Sequence, residues 1–335
     1  MRSSGAARAP TRGARAFVIL SAMVQVLEAV PNVSEGRDPS KIEALIALVR
    51  GTGVDVLDWS ADADHNRAVL TFIGDPPAVE EAGVAVARFA LEHLDLRTHQ
   101  GIHPRVGALD VLPFVPLHGL SMEDAVTSAH RVGRRIADLG VPVYFYGQAS
   151  SPPGRGLAEL RRGGVEALRQ GFPPDRRPDL PADAAVPHPS AGVTCVGARS
   201  VLLAWNVFLE GVGLEDARRI AAAVRERGGG FQGLRALGLD LPRTGRLQIS
   251  MNLEDPKRTS PLEVLAEIRR RVEELGGTLG EIEIIGMWPD TLVLPAGGDR
   301  LDLPDLGPAR VLSSRVAEHV ERCARRIPET SDGTE

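Results

Sequence analysis

The sequence LRTHQGIHPRVGALDVLPFVP, residues 96–116, places two imidazoles, two guanidinium groups and two glycines within eleven residues. An apolar run at 106–115 follows, and it predicts a buried strand. Because Gly101 and Pro104 disfavour a continuous helix, His99 and His103 are not expected to form a helical pair of metal ligands. A polar loop attached to a rigid strand is a typical place for catalytic groups. The alternative is that these side chains only satisfy hydrogen bonds of the loop.

Length and composition predict a soluble globular protein of two domains. The chain has 335 residues, of which 43% are apolar and 25% are charged. A net charge of −5 gives no reason to expect a nucleic-acid partner. Two cysteines are too few for a disulfide framework, which favours a reducing compartment such as the cytoplasm. No apolar run reaches the length of a membrane span, so no membrane partner is expected.

The first residues are predicted to lie outside the fold. Residues 1–16 are rich in Arg, Ala, Ser and Gly and show no periodicity. We therefore interpret 1–23 as a disordered extension, with Met23 as an alternative first residue. A weak signal-peptide pattern at 16–23 is the competing interpretation.

Residues 24–150 predict a first subdomain with the order β-α-β-β-α-β-α-β. Apolar runs indicate strands and period-3.6 patterns indicate helices, and Asp38 followed by Pro39 is a typical helix start. The strands are expected at 24–30, 54–59, 68–73, 106–115 and 141–146, and the helices at 39–50, 77–94 and 122–139. This order favours an α+β fold with mixed sheets rather than a doubly wound parallel sheet.

A Pro/Gly-rich segment at 151–189 is predicted to be a linker or a loop across a site, with a short helical piece at 157–170. A second subdomain of related layout is expected at 190–290, and a ligand cleft between the two subdomains. Residues 291–335 form a predicted tail with a helix at 308–326. The second subdomain's strands are expected at 193–195, 201–209, 231–239, 245–253 and 281–287, and its helices at 214–227 and 261–275.

The sequence offers few alternatives for the chemistry. No glycine-rich strand-to-helix turn or Gly-x-Ser-x-Gly elbow is present, which disfavours a nucleotide site and a serine nucleophile. A metal site is the main rival to acid–base catalysis, although it lacks the spacing of a known metal motif. Its candidate ligands are Asp62, Asp64, His65, His99 and His103. One histidine acting as acid and base, with arginines holding an anionic substrate, needs no further assumption.

Seven motifs, found in order along residues 24–290, together resemble the formiminotransferase family. Those of the first half are VPNVSEGRD at 30–38, DHNRAVLTFIG at 64–74, HQGIHPRVGALDVLPFVP at 99–116 and VPVYFYG at 141–147. Those of the second half are GVTCVGAR at 192–199, WNVFLE at 205–210 and QISMNLED at 248–255. No segment resembles the cyclodeaminase domain that some animal members carry.

The resemblance implies two α/β subdomains with substrates bound between them. It implies transfer of a formimino group from N-formimino-L-glutamate to N5 of tetrahydrofolate, the co-substrate, in histidine degradation. It further implies a cytoplasmic homodimer and no metal. The histidine of the HPR triplet, His103, corresponds to the family's catalytic acid–base. The family's folate-contacting loop falls at 183–192 and includes Pro187, His188 and Gly192.

Further ligand-binding residues follow from the chemistry of these substrates. Carboxylates of glutamate and of the folate tail need cationic anchors, and arginine binds carboxylates through two hydrogen bonds. Amide side chains are expected to donate to the amidine or the pterin, and an aspartate to position the imidazole. The predicted set is Arg67, Arg97 and Arg105, with His99 beside them in the loop, and then Asn66, Asn206 and Asp110.

One position departs from the family pattern. Ile102 stands where many members carry glutamate directly before the HPR triplet. This departure motivates a second hypothesis, a folate-binding paralogue that has lost the transfer reaction or uses another amidine or acyl donor.

Overall fold

The computed structural model describes residues 20–290, 292 and 307–326. The strands of its first sheet are β1 (Val26–Ala29), β2 (Asn32–Val33), β3 (Asp55–Asp62), β4 (Arg67–Gly74), β5 (Leu109–His118), β6 (Val143–Gly147) and β7 (Thr194–Ala198). Their order is β1-β4-β2-β5-β7-β6, and β3 pairs with β4 beside this path. The sheet is mixed, because β7 runs parallel to both β5 and β6 while the other pairs are antiparallel.

Three helices cover one face of the first sheet: α1 (Pro39–Arg50), α2 (Pro76–His93) and α3 (Met122–Asp138). Each begins at a residue that caps it. The side chains of Asp38, Asp75 and Ser121 accept hydrogen bonds from backbone N–H groups of the first turn. The apolar side of each helix joins the apolar side of the sheet in one core.

The Pro/Gly-rich segment lies against the opposite face of this sheet. It contains a short helix, α4 (Leu157–Leu160), and two 3-10 turns, Glu166–Leu168 and Pro174–Arg176. The longer helical piece expected at 157–170 is interrupted, because Gly163 and Gly164 adopt positive φ values of 78° and 67°. Leu160 and Leu168 are buried in a second core with the tyrosines of β6. The segment therefore covers part of the sheet instead of linking two bodies loosely.

The second sheet consists of four strands: β8 (Leu203–Glu210), β9 (Leu234–Leu241), β10 (Arg246–Leu253) and β11 (Thr278–Ile285). All are antiparallel to their neighbours, in the order β11-β8-β10-β9. Two helices, α5 (Leu214–Val224) and α6 (Pro261–Glu273), pack on one face. Helix α5 approaches the sheet closely at Gly238, where a Cβ atom would lie 2.5 Å from the carbonyl carbon of Ala217. The other face carries polar side chains of β8, β10 and β11, among them Asn206, Gln248 and Glu283, beside apolar ones such as Leu237 and Leu239 of β9.

The predicted α+β class with two sheets that each carry packed helices is confirmed, but one strand was placed in the wrong half. The strand expected at 193–195 as the start of the second subdomain is β7, and it lies in the first sheet between β5 and β6. The first sheet thus ends at Ala198 rather than before 190. Parallel pairing joins strands that are distant in sequence, so hydrophobic periodicity does not reveal it.

The end of the described chain returns to the first sheet. The helix expected at 308–326 is a 3-10 turn, Pro308–Arg310, followed by α7 (Leu312–Ala324). Arg310 donates to Asp58 of β3 at 3.2 Å and to the carbonyl oxygens of Ile284 and Gly286 beside β11. This arginine therefore contacts both sheets. Residues 1–19 of the predicted extension and residues 291, 293–306 and 327–335 of the predicted tail lie outside the described residues. Residues 20–23 were predicted to be disordered, but they form a helical turn, and the carbonyl oxygen of Ser21 accepts from His118 of β5 at 3.0 Å. No helix within the described ranges is long and apolar enough to cross a membrane.

Candidate active site

Three loops meet at the edge of the first sheet where β4 and β5 begin. Glycine is required at two of the crossings: a Cβ atom on Gly101 would lie 2.1 Å from the carbonyl oxygen of His65, and one on Gly36 would lie 2.2 Å from that of Asp62. Asn66, at φ 49°, ties the loops together. Its side chain accepts from the backbone N–H of Gly36 at 3.0 Å and donates to the carbonyl oxygen of Gln100 at 3.0 Å. The amide of this predicted ligand-binding residue is thus already engaged with the loops.

A buried carboxylate lies beneath the loops. Asp110 has no exposed surface, and its Oδ1 accepts from the backbone N–H groups of Val106 at 2.8 Å and Gly107 at 3.3 Å. Its Oδ2 accepts from Arg67 at 2.8 Å and from Arg161. Burial opposes ionisation of Asp110, but the two arginines and the backbone donors hold its pKa below the usual value.

The two arginines outnumber the carboxylate that they share. Arg67 is further held by Asn32, whose Oδ1 accepts from Nη2 at 2.6 Å and from Nε at 3.1 Å. Burial and the neighbouring Arg161 lower the pKa of Arg67 to about 10, which still leaves it charged at neutral pH. With Asp110 ionised, the cluster carries one net positive charge, so it favours an anion nearby.

His103 lies directly on this cluster and is half-buried. Its Nδ1 lies 2.8 Å from the carbonyl oxygen of Pro104 and 3.3 Å from Nη1 of Arg67. The carbonyl oxygen accepts a hydrogen bond from a protonated Nδ1, whereas Arg67 can only donate to an unprotonated one. The contact with the carbonyl is the shorter of the two, which favours the tautomer with hydrogen on Nδ1 and a lone pair on Nε2. Burial, followed by the charges of Arg67 and Arg161, lowers the pKa of His103 well below its ordinary value. The imidazole is therefore neutral near pH 7 and able to accept a proton at Nε2.

A second histidine connects this site to the second sheet. The ring centroids of His65 and His103 are 5.6 Å apart. Nε2 of His65 accepts from the amide of Gln248 on β10 at 2.8 Å, and both side chains are buried. The backbone N–H of Arg243, in the turn before β10, donates to Asp64 at 2.8 Å. The polar face of the second sheet thus approaches the His103 loop.

Three predicted residues of the central loop have other partners. Arg97 is exposed and forms an ion pair with Asp95 at 2.7 Å, away from the cluster. Arg105 is mostly buried and donates to the carbonyl oxygen of His99 at 2.9 Å and to Glu166 at 3.1 Å. His99 lies 2.8 Å from the carbonyl oxygen of Asn66 through its Nε2, which fixes the position of the loop.

The remaining predicted residues have partners other than His103. His188 and Gly192 close a turn through reciprocal backbone hydrogen bonds of 3.0 and 2.9 Å, and Pro187 before them is buried. Gly192 pairs with Gly107, immediately before β5, so this turn borders the central loop. Asn206 on β8 lies on the polar face of the second sheet and donates to Glu283 at 2.9 Å.

The rival metal hypothesis does not match a cluster in the described part of the chain, where no three His, Cys, Asp or Glu side chains converge as ligands. The rings of His65 and His103 lie 5.6 Å apart. The carboxylate of Asp62, another predicted ligand, accepts a hydrogen bond from the backbone N–H of His65.

Two family models match consecutive parts of this chain. Residues 26–199 match the "Formiminotransferase domain, N-terminal subdomain", and residues 204–299 match the "Formiminotransferase domain". The chain belongs to the formiminotransferase family. The gap between the two matches falls between β7 and β8, where the first sheet ends and the second begins.

Relatives of this formiminotransferase cover most of its length. Glutamate formimidoyltransferase of Streptococcus pyogenes serotype M1 is 34% identical over 84% of this chain and 95% of its own. Glutamate formimidoyltransferase of Thermoplasma acidophilum is 33% identical over 88% of this chain and 98% of its own. Formimidoyltransferase-cyclodeaminase of Gallus gallus is 39% identical over 82% of this chain, which spans only 52% of that protein. The chain is therefore an enzyme that transfers a one-carbon group.

The sequence analysis missed four side chains of this candidate site. They are Asn32, His65, Arg161 and Gln248. His65 had been considered only as a metal ligand and not as a neighbour of His103. Asn32, His65 and Gln248 lie within motifs already quoted for the family, so the signal was present without an assigned role. Arg161 lies in the Pro/Gly-rich segment, where nothing in the sequence pointed to Asp110.

Proposed function

We propose that this chain is a glutamate formimidoyltransferase, which moves the formimino group of N-formimino-L-glutamate to N5 of tetrahydrofolate with His103 as acid and base. The observation that carries the proposal is the position of His103, whose Nδ1 lies 2.8 Å from the carbonyl oxygen of Pro104, on a net positive cluster in a chain whose relatives, matched over nearly their full length, bear that name. A cytoplasmic homodimer acting in histidine degradation is the accompanying proposal.

His103 acts first as a base in this proposal. N5 of tetrahydrofolate attacks the formimino carbon and must lose its proton, which Nε2 of His103 accepts. Nδ1 keeps its hydrogen and donates it to the carbonyl oxygen of Pro104, which stabilises the positive charge that forms on the ring.

The same imidazole then acts as an acid. The bond between the formimino carbon and the glutamate nitrogen breaks, and the departing nitrogen takes the proton from Nε2. Burial and the charges of Arg67 and Arg161 destabilise the imidazolium, so it releases this proton readily. The catalyst returns to its neutral form after each transfer.

The cluster below His103 supplies the anchor for an anionic substrate. Arg67 and Arg161 share one carboxylate, and the positive charge left over attracts a glutamate carboxylate. Because both guanidinium groups are nearly immobilised by Asp110 and Asn32, little conformational freedom is lost when a substrate binds.

Ile102 favours a second function. Its apolar side chain is partly buried directly before His103, and its backbone N–H donates to the carbonyl oxygen of Asp64 at 3.1 Å. No carboxylate stands at this position to orient an amidine. The alternative is a folate-binding paralogue that lacks the transfer or takes another amidine or acyl donor.

The deciding experiment follows glutamate release from formiminoglutamate in the presence of tetrahydrofolate. Replacing His103 by alanine is expected to lower kcat by about 100-fold or more, the usual contribution of a general acid–base, while tetrahydrofolate binding stays within a few-fold. His93→Ala is the matched control, because that side chain is half exposed at the end of α2. An unchanged kcat in His103→Ala would disprove the role of this residue. Folate binding without glutamate release in the wild type would support the paralogue.

A further inference from the structure

We propose that Cys323 is a reactive thiol, activated by His319 and Asp55, that forms a mixed disulfide with small disulfides. Cys323 and His319 lie on α7, beyond the residues matched by the family profiles, which end at 299. Asp55 is the first residue of β3, whereas the loop that carries His65 follows its last residue, Asp62, so this site lies at the other end of the strand from the candidate active site. It does not depend on the proposed function.

The geometry is that of an activated nucleophile. His319 is only 7% exposed, and its Nδ1 lies 2.5 Å from Oδ2 of Asp55 on β3. Its Nε2 lies 3.4 Å from Sγ of Cys323. Because Asp55 accepts the Nδ1 hydrogen, the lone pair of Nε2 faces the thiol. Nucleophile, imidazole and carboxylate follow one another in the order that activates cysteine and serine nucleophiles.

The fold supplies the three groups for definite reasons. His319 and Cys323 are four residues apart on one helix, so they lie on the same face. Asp55 comes from the edge of the first sheet, and it also accepts from Arg322. The imidazole stands between the sulfur and the carboxylate, so the three groups do not converge on a common metal ion. They form a proton relay.

The reactivity of Cys323 rests on the imidazole rather than on the helix. Cys323 lies in the last turn of α7, where the negative end of the helix dipole disfavours a thiolate. The imidazolium formed at His319 offsets this, and Asp55 stabilises the imidazolium in turn. Nη2 of Arg322 lies 3.1 Å from Nδ1 of His319 and also donates to Asp55, so its charge opposes the imidazolium and the carboxylate has to offset it. Removing the imidazole therefore leaves a thiol less reactive than a free one.

The other cysteine of this chain is an internal control, because its thiol is expected to be unreactive in the folded protein. Cys195, the second cysteine, is fully buried in β7, and burial raises the pKa of its thiol to about 12. Cys323 is partly exposed, so a small disulfide is able to reach it. A reagent added to the folded protein is thus expected to distinguish one thiol from the other.

The reaction is an ordinary thiol–disulfide exchange. The thiol of Cys323 gives its proton to Nε2 of His319, and the thiolate attacks one sulfur of the disulfide. A new S–S bond forms while the old one breaks, and the departing thiolate leaves or takes the proton from His319. The small disulfide supplies the oxidising equivalent, so no other reactant is needed.

The test measures the rate of reaction of the folded protein with the aromatic disulfide dithiobis(nitrobenzoate) near pH 7, with peptide mapping to assign the sulfur. One rapid thiol, Cys323, is expected, and it disappears in Cys323→Ser but remains in Cys195→Ser. In His319→Gln the rate is expected to fall about tenfold or more, and in Asp55→Asn by a smaller factor. Glutathione disulfide is then expected to give a mixed disulfide on the same peptide.

Two results would overturn the proposal. One is an equal rate for Cys323 in the wild type and in a folded His319→Gln variant. The other is a wild-type rate below that of N-acetylcysteine under the same conditions, and this comparison needs no variant that has to fold. Transferase activity is not the readout, so failure here leaves the proposed function untouched.

Discussion

Burial and two positive charges set the protonation of His103. Burial lowers its pKa most, and Arg67 and Arg161, which share the carboxylate of Asp110, lower it further. Since the neutral imidazole is the base, kcat/KM is expected to fall only when the pH drops through this lowered pKa, below about 6.5. A histidine with the ordinary pKa would make kcat/KM fall at a higher pH.

Arg161→Gln is expected to move this acid limb to higher pH. The substitution removes a positive charge and leaves Asp110 with one arginine, and both changes favour the imidazolium and raise the pKa of His103. The measurement is the pH profile of kcat/KM, compared with that of Arg162→Gln. Arg162 is the matched control because it is exposed and pairs with Asp175 at the surface. An acid limb that stays in place in Arg161→Gln would show that this charge does not act on His103.

Helices and strands were more predictable than their pairing. Asp38 and the proline that follows it predicted the start of α1 at the residue where the structure places it. The two-residue strand β2 and the parallel partner strands of β7 were not predicted, because neither leaves a periodic pattern. The contact of Arg161 with Asp110 was not predicted either, because it depends on how a Pro/Gly-rich segment without periodicity packs against the sheet.

Gly101→Ala is expected to destabilise the junction of the three loops. The added Cβ would lie 2.1 Å from the backbone oxygen of His65, which cannot withdraw as a flexible side chain can. The free energy of unfolding should fall by about 1–3 kcal/mol, and kcat should fall with it because His103 follows two residues later. Gly156→Ala is the control, since its Cβ would meet no atom within 4 Å and its φ is −90°. Denaturant unfolding that is equal for both variants would contradict this account.

The relation between the two sheets was the least predictable feature. The sequence placed Asn206 in the site because of its residue type, yet its amide donates to Glu283 on the neighbouring strand. Gln248, on the same polar face, is the residue that contacts the His103 loop through His65. A single sequence orders residues along strands, but it does not show which of two polar residues on a face meets a partner 183 positions away.

Gln248→Leu tests whether this contact serves catalysis or only joins the sheets. The substitution leaves Nε2 of His65 buried without a donor, which should cost about 1–3 kcal/mol of stability. It also frees the ring that packs 5.6 Å from His103, so kcat is expected to fall by about tenfold while KM changes less. Ser250→Ala, two residues along the same strand face, is the control in both thermal unfolding and steady-state kinetics. Reduced stability with an unchanged kcat would mean that Gln248 joins the two sheets without positioning the imidazole.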